Sequence, residues 1–313
     1  MYDNIDFSLK TDEAGNVDLL SHVPVLLQNA SEHYFNDNSS VAITGYIDSL
    51  KVNVTENRVK ISDSSLCKWY LGENFKTLSR GDTQRAIEKL SDILLLPIHK
   101  ADISRIDLAQ NLIMKYETPV YYNHLGHLKH YNRLEQSRGL YYNNNSRQLV
   151  FYDKIADYKH KGQALPEMYQ NRNVLRYEMR FTKQLLKAFN LPCLKASSLY
   201  DEAFYIAIID RWHKSYKNIS KIRVLNNLDY SMIKTKEQLK RQALLLLINE
   251  QGGELEFCKK IADAQAKGEL SNKQAFDLRN LIKEVSQSKI LTCDSDVIVE
   301  LDKKIKEAVK FYV

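Results

Sequence analysis

The sequence predicts an α+β protein: a central antiparallel sheet over residues 1–195 with helices packed on it, then a mainly helical region over residues 196–313. Two observations carry that reading. Before residue 182 apolar side chains alternate with a period of two in several short runs, and after Leu191-Pro192 they recur at helical spacing. A chain of 313 residues, 44% hydrophobic and 27% charged, is long enough to bury one large core or two smaller ones. With only 10 glycines and 5 prolines, it has no composition for a long flexible linker between the two parts.

The elements follow in chain order. In MYDNIDFSLK, Ile5, Phe7 and Leu9 fall on one side of a strand, and VAITGYIDSLKVNVTENRVKIS reads as strands turning at Thr55-Glu56-Asn57. Asp82 is the expected N-cap of a helix whose apolar side, Ala86, Leu90, Ile93 and Leu94, runs until Pro97. ISRIDLAQNLI is a strand that sets Ile103, Arg105, Asp107, Ala109 and Asn111 on one face. GLYYNNNSRQLVFYDK folds back as a hairpin with residues 143–146 as its turn and Tyr152 at its exit. NVLRYEMRF alternates again, with Arg176, Glu178 and Arg180 on one face and Leu175, Tyr177 and Met179 on the other. Ser198 and Asp201 mark the start of a helix over EAFYIAIIDRWHKSY. Lys234–Glu250 is a second helix, ended by Gly252-Gly253, and Ser271-x-x-Gln274 is a capping box for a third.

Several classes are excluded. The longest apolar run, Ala243 to Ile248, falls far short of the ~20 residues that cross a bilayer, and the acidic start MYDNIDFSLK is no signal peptide. A soluble, cytoplasmic protein is expected. Cys67, Cys193, Cys258 and Cys293 lie far apart, as reduced thiols do, without zinc-site spacing. His124, His127 and His130 could line a helix face, but Gly126 breaks such a helix. No GxxxxGK phosphate loop is present.

The net charge of +6 is unevenly placed, at −4 over residues 1–100, +11 over 101–241 and −1 over 242–313. A basic middle block that also holds many tyrosines suits an anionic partner, with Lys and Arg on phosphates and rings for base stacking; the plain alternative is a solvated basic surface. Lys159 and Lys161 belong to this block. Lys214, Lys217, Lys221 and Arg223 follow a helix without nearby acids and are expected phosphate contacts.

Two strands each place a carboxylate among arginines or amides on a face that packing alone would make apolar: Asp107 beside Arg105 and Asn111, and Glu178 between Arg176 and Arg180. On adjacent strands the two carboxylates could ligate a hard divalent cation, or they could form structural Arg–carboxylate bridges. Tyr152 is the third element. A phenol of pKa ~10 needs a neighbouring cation or a polarised electrophile to act as a nucleophile, and Lys154 would share its face if the strand continued.

Read together, ISRIDLAQN (103–111), SRQLVFYDK (146–154) and NVLRYEMRFTKQLLKAFNLP (173–192) resemble the filamentous-phage replication initiators of the gene II/gene X type. That family has an SRID strand, a tyrosine with a lysine two residues on, and an L-R-[FY]-E-x-R strand running into a helix. MYDNI and SLCKWYLGENFKTLSRGDTQRAIEKLSD are also similar to its phage and plasmid members. A weaker resemblance reaches the initiators of small rolling-circle plasmids.

The resemblance implies a metal-dependent DNA nickase and rejoining transesterase that starts rolling-circle replication, with an HUH-endonuclease-like sheet in residues 1–195. It puts the nucleophile on Tyr152, its lysine on Lys154 and Mg²⁺ or Mn²⁺ on Asp107 and Glu178. Arg105, Asn111, Arg176, Arg180 and His130 are supporting or alternative residues, and Tyr158 is a second candidate nucleophile. The histidine pair that names the HUH group is absent. Origin DNA is the implied partner, with host helicase and polymerase. A non-catalytic origin-binding regulator and a relaxase or transposase are the alternatives.

Overall fold

The computed structural model describes residues 1–34, 41–225, 233–288 and 292–313. Alternating sequence becomes a ten-stranded, wholly antiparallel sheet: β1 (Tyr2–Lys10), β2 (Gln28–Tyr34), β3 (Val41–Ile47), β4 (Leu50–Thr55), β5 (Arg58–Ser62), β6 (Asp102–Met114), β7 (Asn132–Gln136), β8 (Gly139–Asn143), β9 (Arg147–Asp153) and β10 (Asn173–Phe181). Their order across the sheet is β2-β3-β4-β5-β1-β6-β10-β9-β8-β7. Three strands with the strongest alternation, β1, β6 and β10, therefore lie at the centre, where both faces are covered and period-two patterning decides what each face holds.

One face is apolar. Tyr177 stacks on Phe151 at 4.5 Å and meets Trp212 at 4.6 Å, while Tyr2 meets Tyr205 edge-on at 5.6 Å. These contacts seat the helix Glu202–Lys217, capped by Asp201 as expected, and the C-terminal helix Asp296–Tyr312 joins the same core through Val297, Ile298, Leu301 and Ile305. The helices Lys236–Glu250, Gly253–Ala266 and Asn272–Ser286 build a separate small core around Leu245, Ile248, Ile261 and Ile282. The helical texture after residue 195 thus divides between two cores. A short ladder pairing Val224–Leu225 with Thr292–Cys293 stands where the chain leaves the sheet core and returns to it.

Two expectations need correction. The helix Arg80–Leu94 is capped by Ser79, not Asp82; Asp82 is its third residue and closes the capping box by accepting from the Ser79 N–H. Ile103 does not share the face of Arg105: Asp6 opposes Arg105 while Phe7 opposes Ile103, so Ser104 is an extra residue that returns Ile103 to the apolar side. Among the described residues no helix is long and apolar enough to cross a membrane. Cys67, Cys193 and Cys258 are free thiols, and the Cys293 side chain lies outside the described residues.

Trp212 is fully buried against Tyr177. Trp212→Ala is expected to cost about 3–5 kcal/mol in denaturant unfolding of the sheet core, with the three-helix unit unaffected.

Candidate functional site

The second face of β6, β10 and β9 carries charge. Registers Arg180↔Asp107, Glu178↔Ala109 and Arg176↔Asn111 place Asp107 and Glu178 on the same side of neighbouring strands, and Arg176↔Tyr152 brings in the tyrosine. Tyr2 opposes Leu108 and Ile5 opposes Ile106, so Asp3 and Asn4 together face Asp107 across a bulge in β1. This bulge delivers two polar side chains to the ionic face.

Arg176 is the hub. Its fully buried guanidinium donates to Glu178 Oε1 at 2.6 Å, to Asp3 Oδ2 at 2.5 Å, to the Asn74 carbonyl at 3.0 Å and to Asn111 Oδ1 at 3.1 Å. Glu178 also accepts from the Tyr152 hydroxyl at 2.8 Å and from Arg180 at 2.8 and 2.5 Å. Asp107 is held by Arg105 through two bonds of 3.0 and 2.7 Å and by Asn4 at 3.0 Å. Arg176 is sealed from solvent, whereas Arg105 and Arg180 expose 26% and 28% of their side chains.

Burial and charge set the proton affinities. Burial alone would raise Glu178, but Arg176 and Arg180 outweigh it and hold the carboxyl at about 2. Burial lifts Asp107 to about 6 against the opposing charge of Arg105, and it pushes the Tyr152 phenol well above 10. Burial, reinforced by the charge of Arg176, lowers the Lys154 ammonium to about 7.

Lys154 does not extend the strand of Tyr152. Asp153 ends β9 and caps the helix Lys154–His160 by accepting from Ala156 N–H, which turns Lys154 inward. There its Nζ donates to Asn74 Oδ1 at 2.9 Å, so Lys154 and Arg176 both hold Asn74. Tyr158 is buried edge-on against Phe75 at 4.6 Å. His130 lines a depression at the 143–146 turn, the end of β9 opposite Tyr152.

A cleft of about 500 Å³ opens beside Tyr152 and Arg180, with Tyr141, Arg138, His160 and Lys161 among its walls. Gly139, at φ 153°, has no room for a Cβ: one would come within 2.4 Å of the Phe151 carbonyl and 2.9 Å of Tyr152 Cβ. The glycine is therefore what lets β8 pass close to the tyrosine.

The other basic residues are not a cluster without nearby acids. Lys214 pairs with Asp210 at 2.6 Å and Arg223 with Asp294 at 2.8 Å. Lys221 turns back onto the carbonyls of Tyr216 and Ile219, 3.9 Å from the Tyr216 ring centre, and burial lowers it to about 8. Lys159 and Lys217 are exposed on helix ends, and Lys161 bonds to Asp157 at 2.9 Å.

As folded, the two strand carboxylates do not fit a resident divalent cation. Inner-sphere oxygens lie ~2.0–2.6 Å from such an ion, and those of Asp107 and Glu178 are already taken by guanidinium, amide and phenol donors. Among the described residues no group of three His, Cys, Asp or Glu could hold a metal.

Sequence reasoning missed Asp3, Asn4, Asn74 and the cleft residues Arg138, Tyr141 and His160. Gly139 had a signal, since an isolated glycine entering a strand marks close backbone approach. The others did not, because they reach the site through a bulge, a loop and a neighbouring strand.

A wide antiparallel sheet, helix-covered on its apolar face and ionic on the other, with a tyrosine bonded to a carboxylate beside a cleft, defines an α+β protein with a candidate site on the ionic face of its sheet. A family model describing the N-terminal part of the phage replication-associated protein, the gene II product, matches residues 1–213, and the chain belongs to that family. It is a replication initiator of the filamentous-phage gene II type, a group whose members are generally nicking enzymes. No curated protein matches the chain.

Glu178→Ala would strand buried Arg176, and a loss of about 3–5 kcal/mol is expected in urea unfolding, against ~1 kcal/mol for Tyr152→Phe. The Glu178 contribution has a defined acid limb. Its pKa is near 4.5 when unfolded and about 2 when folded, so the stabilisation is present above 4.5 and lost as pH falls toward 2. Asp107, raised from 3.8 to about 6, acts oppositely: the fold holds the extra proton, and its contribution declines as pH rises from 3.8 to 6. Urea titrations of Glu178→Gln and Asp107→Asn should each remove the corresponding limb.

Proposed function

We propose that the protein nicks one DNA strand at a replication origin and rejoins it by transesterification, with Tyr152 as the nucleophile. The observation that carries this reading is the Tyr152 hydroxyl donating to Glu178 at 2.8 Å, with Tyr152 and Arg180 both lining the cleft. In the reaction Tyr152 Oη bonds to the scissile phosphorus, the P–O3′ bond breaks, and the 3′-oxygen leaves with a proton. The product is a 5′-phosphotyrosyl protein and a free 3′-OH that primes synthesis. Attack by a 3′-OH on the same phosphorus reverses the step, so bond energy is conserved and no nucleoside triphosphate is consumed.

The phenol proton needs an acceptor. Glu178 orients the hydroxyl, but at about 2 it is too weak a base to keep the proton. In this proposal Lys154, lowered to about 7, takes that proton and returns it, a step that requires its Nζ to leave Asn74 Oδ1 for the phenol. Arg180, whose partly exposed guanidinium lines the cleft with Tyr152, is the group assigned to charge on the non-bridging oxygens, while Arg105, outside that cleft, holds Asp107. Mg²⁺ or Mn²⁺ enters this proposal only in exchange for those guanidiniums at Asp107 and Glu178, and no step here runs through it. Kinship with HUH endonucleases, and recruitment of host helicase and polymerase, belong to the same proposal.

Incubation with supercoiled plasmid carrying the cognate origin tests it. The wild-type chain should yield nicked circles with protein on the 5′ end, and Tyr152→Phe should bind the origin yet form neither. An adduct from Tyr152→Phe would move the nucleophile to Tyr158 or elsewhere, while origin binding without nicking by the wild type would favour a non-catalytic regulator. The nicking rate of the wild type should rise with pH through about 7 as Lys154 loses its proton. Lys154→Arg, permanently charged, should be slow and should lose that rise in single-turnover pH profiles.

A further inference from the structure

We infer that the protein pairs with a second copy of itself through the outer face of the helix Lys236–Glu250, as an antiparallel seam whose two-fold axis passes at Ala243. This goes beyond the nickase reading and does not depend on it. The helix lies outside residues 1–213, the part of the chain that the family model matches.

The helix is apolar on two sides and covered on one. Gln242, Leu245 and Ile248 are buried, the two apolar ones in the core of the three-helix unit. Leu239, Leu246 and Leu247 face outward, with 55%, 37% and 43% of their surface exposed, and Ala243 between them is exposed as well. At about 100° per residue, positions 239, 243, 246 and 247, with 236 and 250 at the ends, share one sector of about 100° turned away from Leu245. An exposed apolar stripe with charge at its ends suits packing on another helix.

This face is complementary to itself about Ala243. Leu239 and Leu247 stand four residues to either side of it, and Lys236 and Glu250 seven. A two-fold rotation there sets Leu239 of one copy against Leu247 of the other and Lys236 against Glu250, each contact made twice. The small Ala243 lets the helices approach at the axis, and the aliphatic stem of Lys240 covers Leu246 from the side. Parallel pairing would instead put Lys236 on Lys236 and Glu250 on Glu250. A second observation points the same way. Within its own helix each of these charges sits at the unfavourable end, the cation in the first turn and the anion in the last. In the antiparallel pair each lies beside a helix end of opposite sign belonging to the other copy. Arg241 is engaged off this face, with Glu237 at 3.5 Å and Glu284 at 3.0 Å.

Sedimentation equilibrium of the full chain without DNA tests the seam, with circular dichroism to confirm folding. One helix from each copy is small against the ~1,200–2,000 Å² of standard interfaces, so a dimer with a dissociation constant on the order of micromolar is expected. Leu247→Lys, at an exposed position, should weaken it about tenfold or more. Lys236→Glu and Glu250→Lys each bring like charges together at both ends of the seam and should weaken it about threefold or more. The double variant restores opposite charges and should return to the wild-type constant. Neither swap endangers the helix, since each improves the match to its own dipole. A chain that stays monomeric up to about 100 µM would overturn the seam, as would a dimer unmoved by folded Leu247→Lys or a double variant no tighter than the singles. Absence of a 5′ adduct from the wild type on plasmid counts against the nickase reading and leaves the seam standing.

Discussion

A fully buried guanidinium, Arg176, is the constraint on which the site depends. Taking an arginine out of water costs several kcal/mol, and the fold offsets it by surrounding the group with Asp3, Glu178, Asn111 and the Asn74 carbonyl. Each partner comes from a different segment: the bulged first strand, β10 itself, β6, and the loop before the helix Arg80–Leu94. None of the four can shift without uncovering the charge. That requirement fixes Glu178, and Glu178 in turn fixes the Tyr152 hydroxyl. The candidate site is thus set in a frame of matched buried charges.

The apolar side of the sheet does the complementary work. Tyr177, on β10 between Arg176 and Glu178, stacks on Phe151 and Trp212, so the strand that carries the ionic row is clamped from behind by aromatic contacts. The helix that supplies Trp212 is itself backed by the C-terminal helix, through a Tyr216–Asp302 hydrogen bond of 2.5 Å. Residues far from the tyrosine in sequence therefore hold its strand in place. The three-helix unit has its own core and takes no part in this clamp.

The central strands were legible in the sequence because buried positions on both faces impose a strict alternation; MYDNIDFSLK, ISRIDLAQNLI and NVLRYEMRF each announced their faces. The edge strands were not: β2 is polar and exposed along its length and β7 is polar and exposed except at Arg133, so no apolar period marks them. Motif order named Tyr152 and Glu178 without pairing them, and the bulge that sends Asp3 and Asn4 to the site, and the extra Ser104 that flips Ile103, are one-residue departures from period two that alternation cannot see. The turn at Lys154 was hidden for a similar reason. Asp153 reads as a strand residue until its side chain is seen capping a helix. Basic residues misled most, since Lys221 reads as a free cation in sequence and in the fold secures the end of a helix.

The central claim is that Tyr152, held on Glu178, becomes joined to DNA. The direct measurement is mass spectrometry of the trypsin- and nuclease-treated protein–DNA adduct formed by the wild-type chain on its origin plasmid. Trypsin cuts after Arg147 and Lys154, so the account expects the nucleotide mass on the peptide spanning Gln148 to Lys154, localised to Tyr152. The same mass on the peptide ending at Lys159, which holds Tyr158, or on any other tyrosine of the chain, would contradict it.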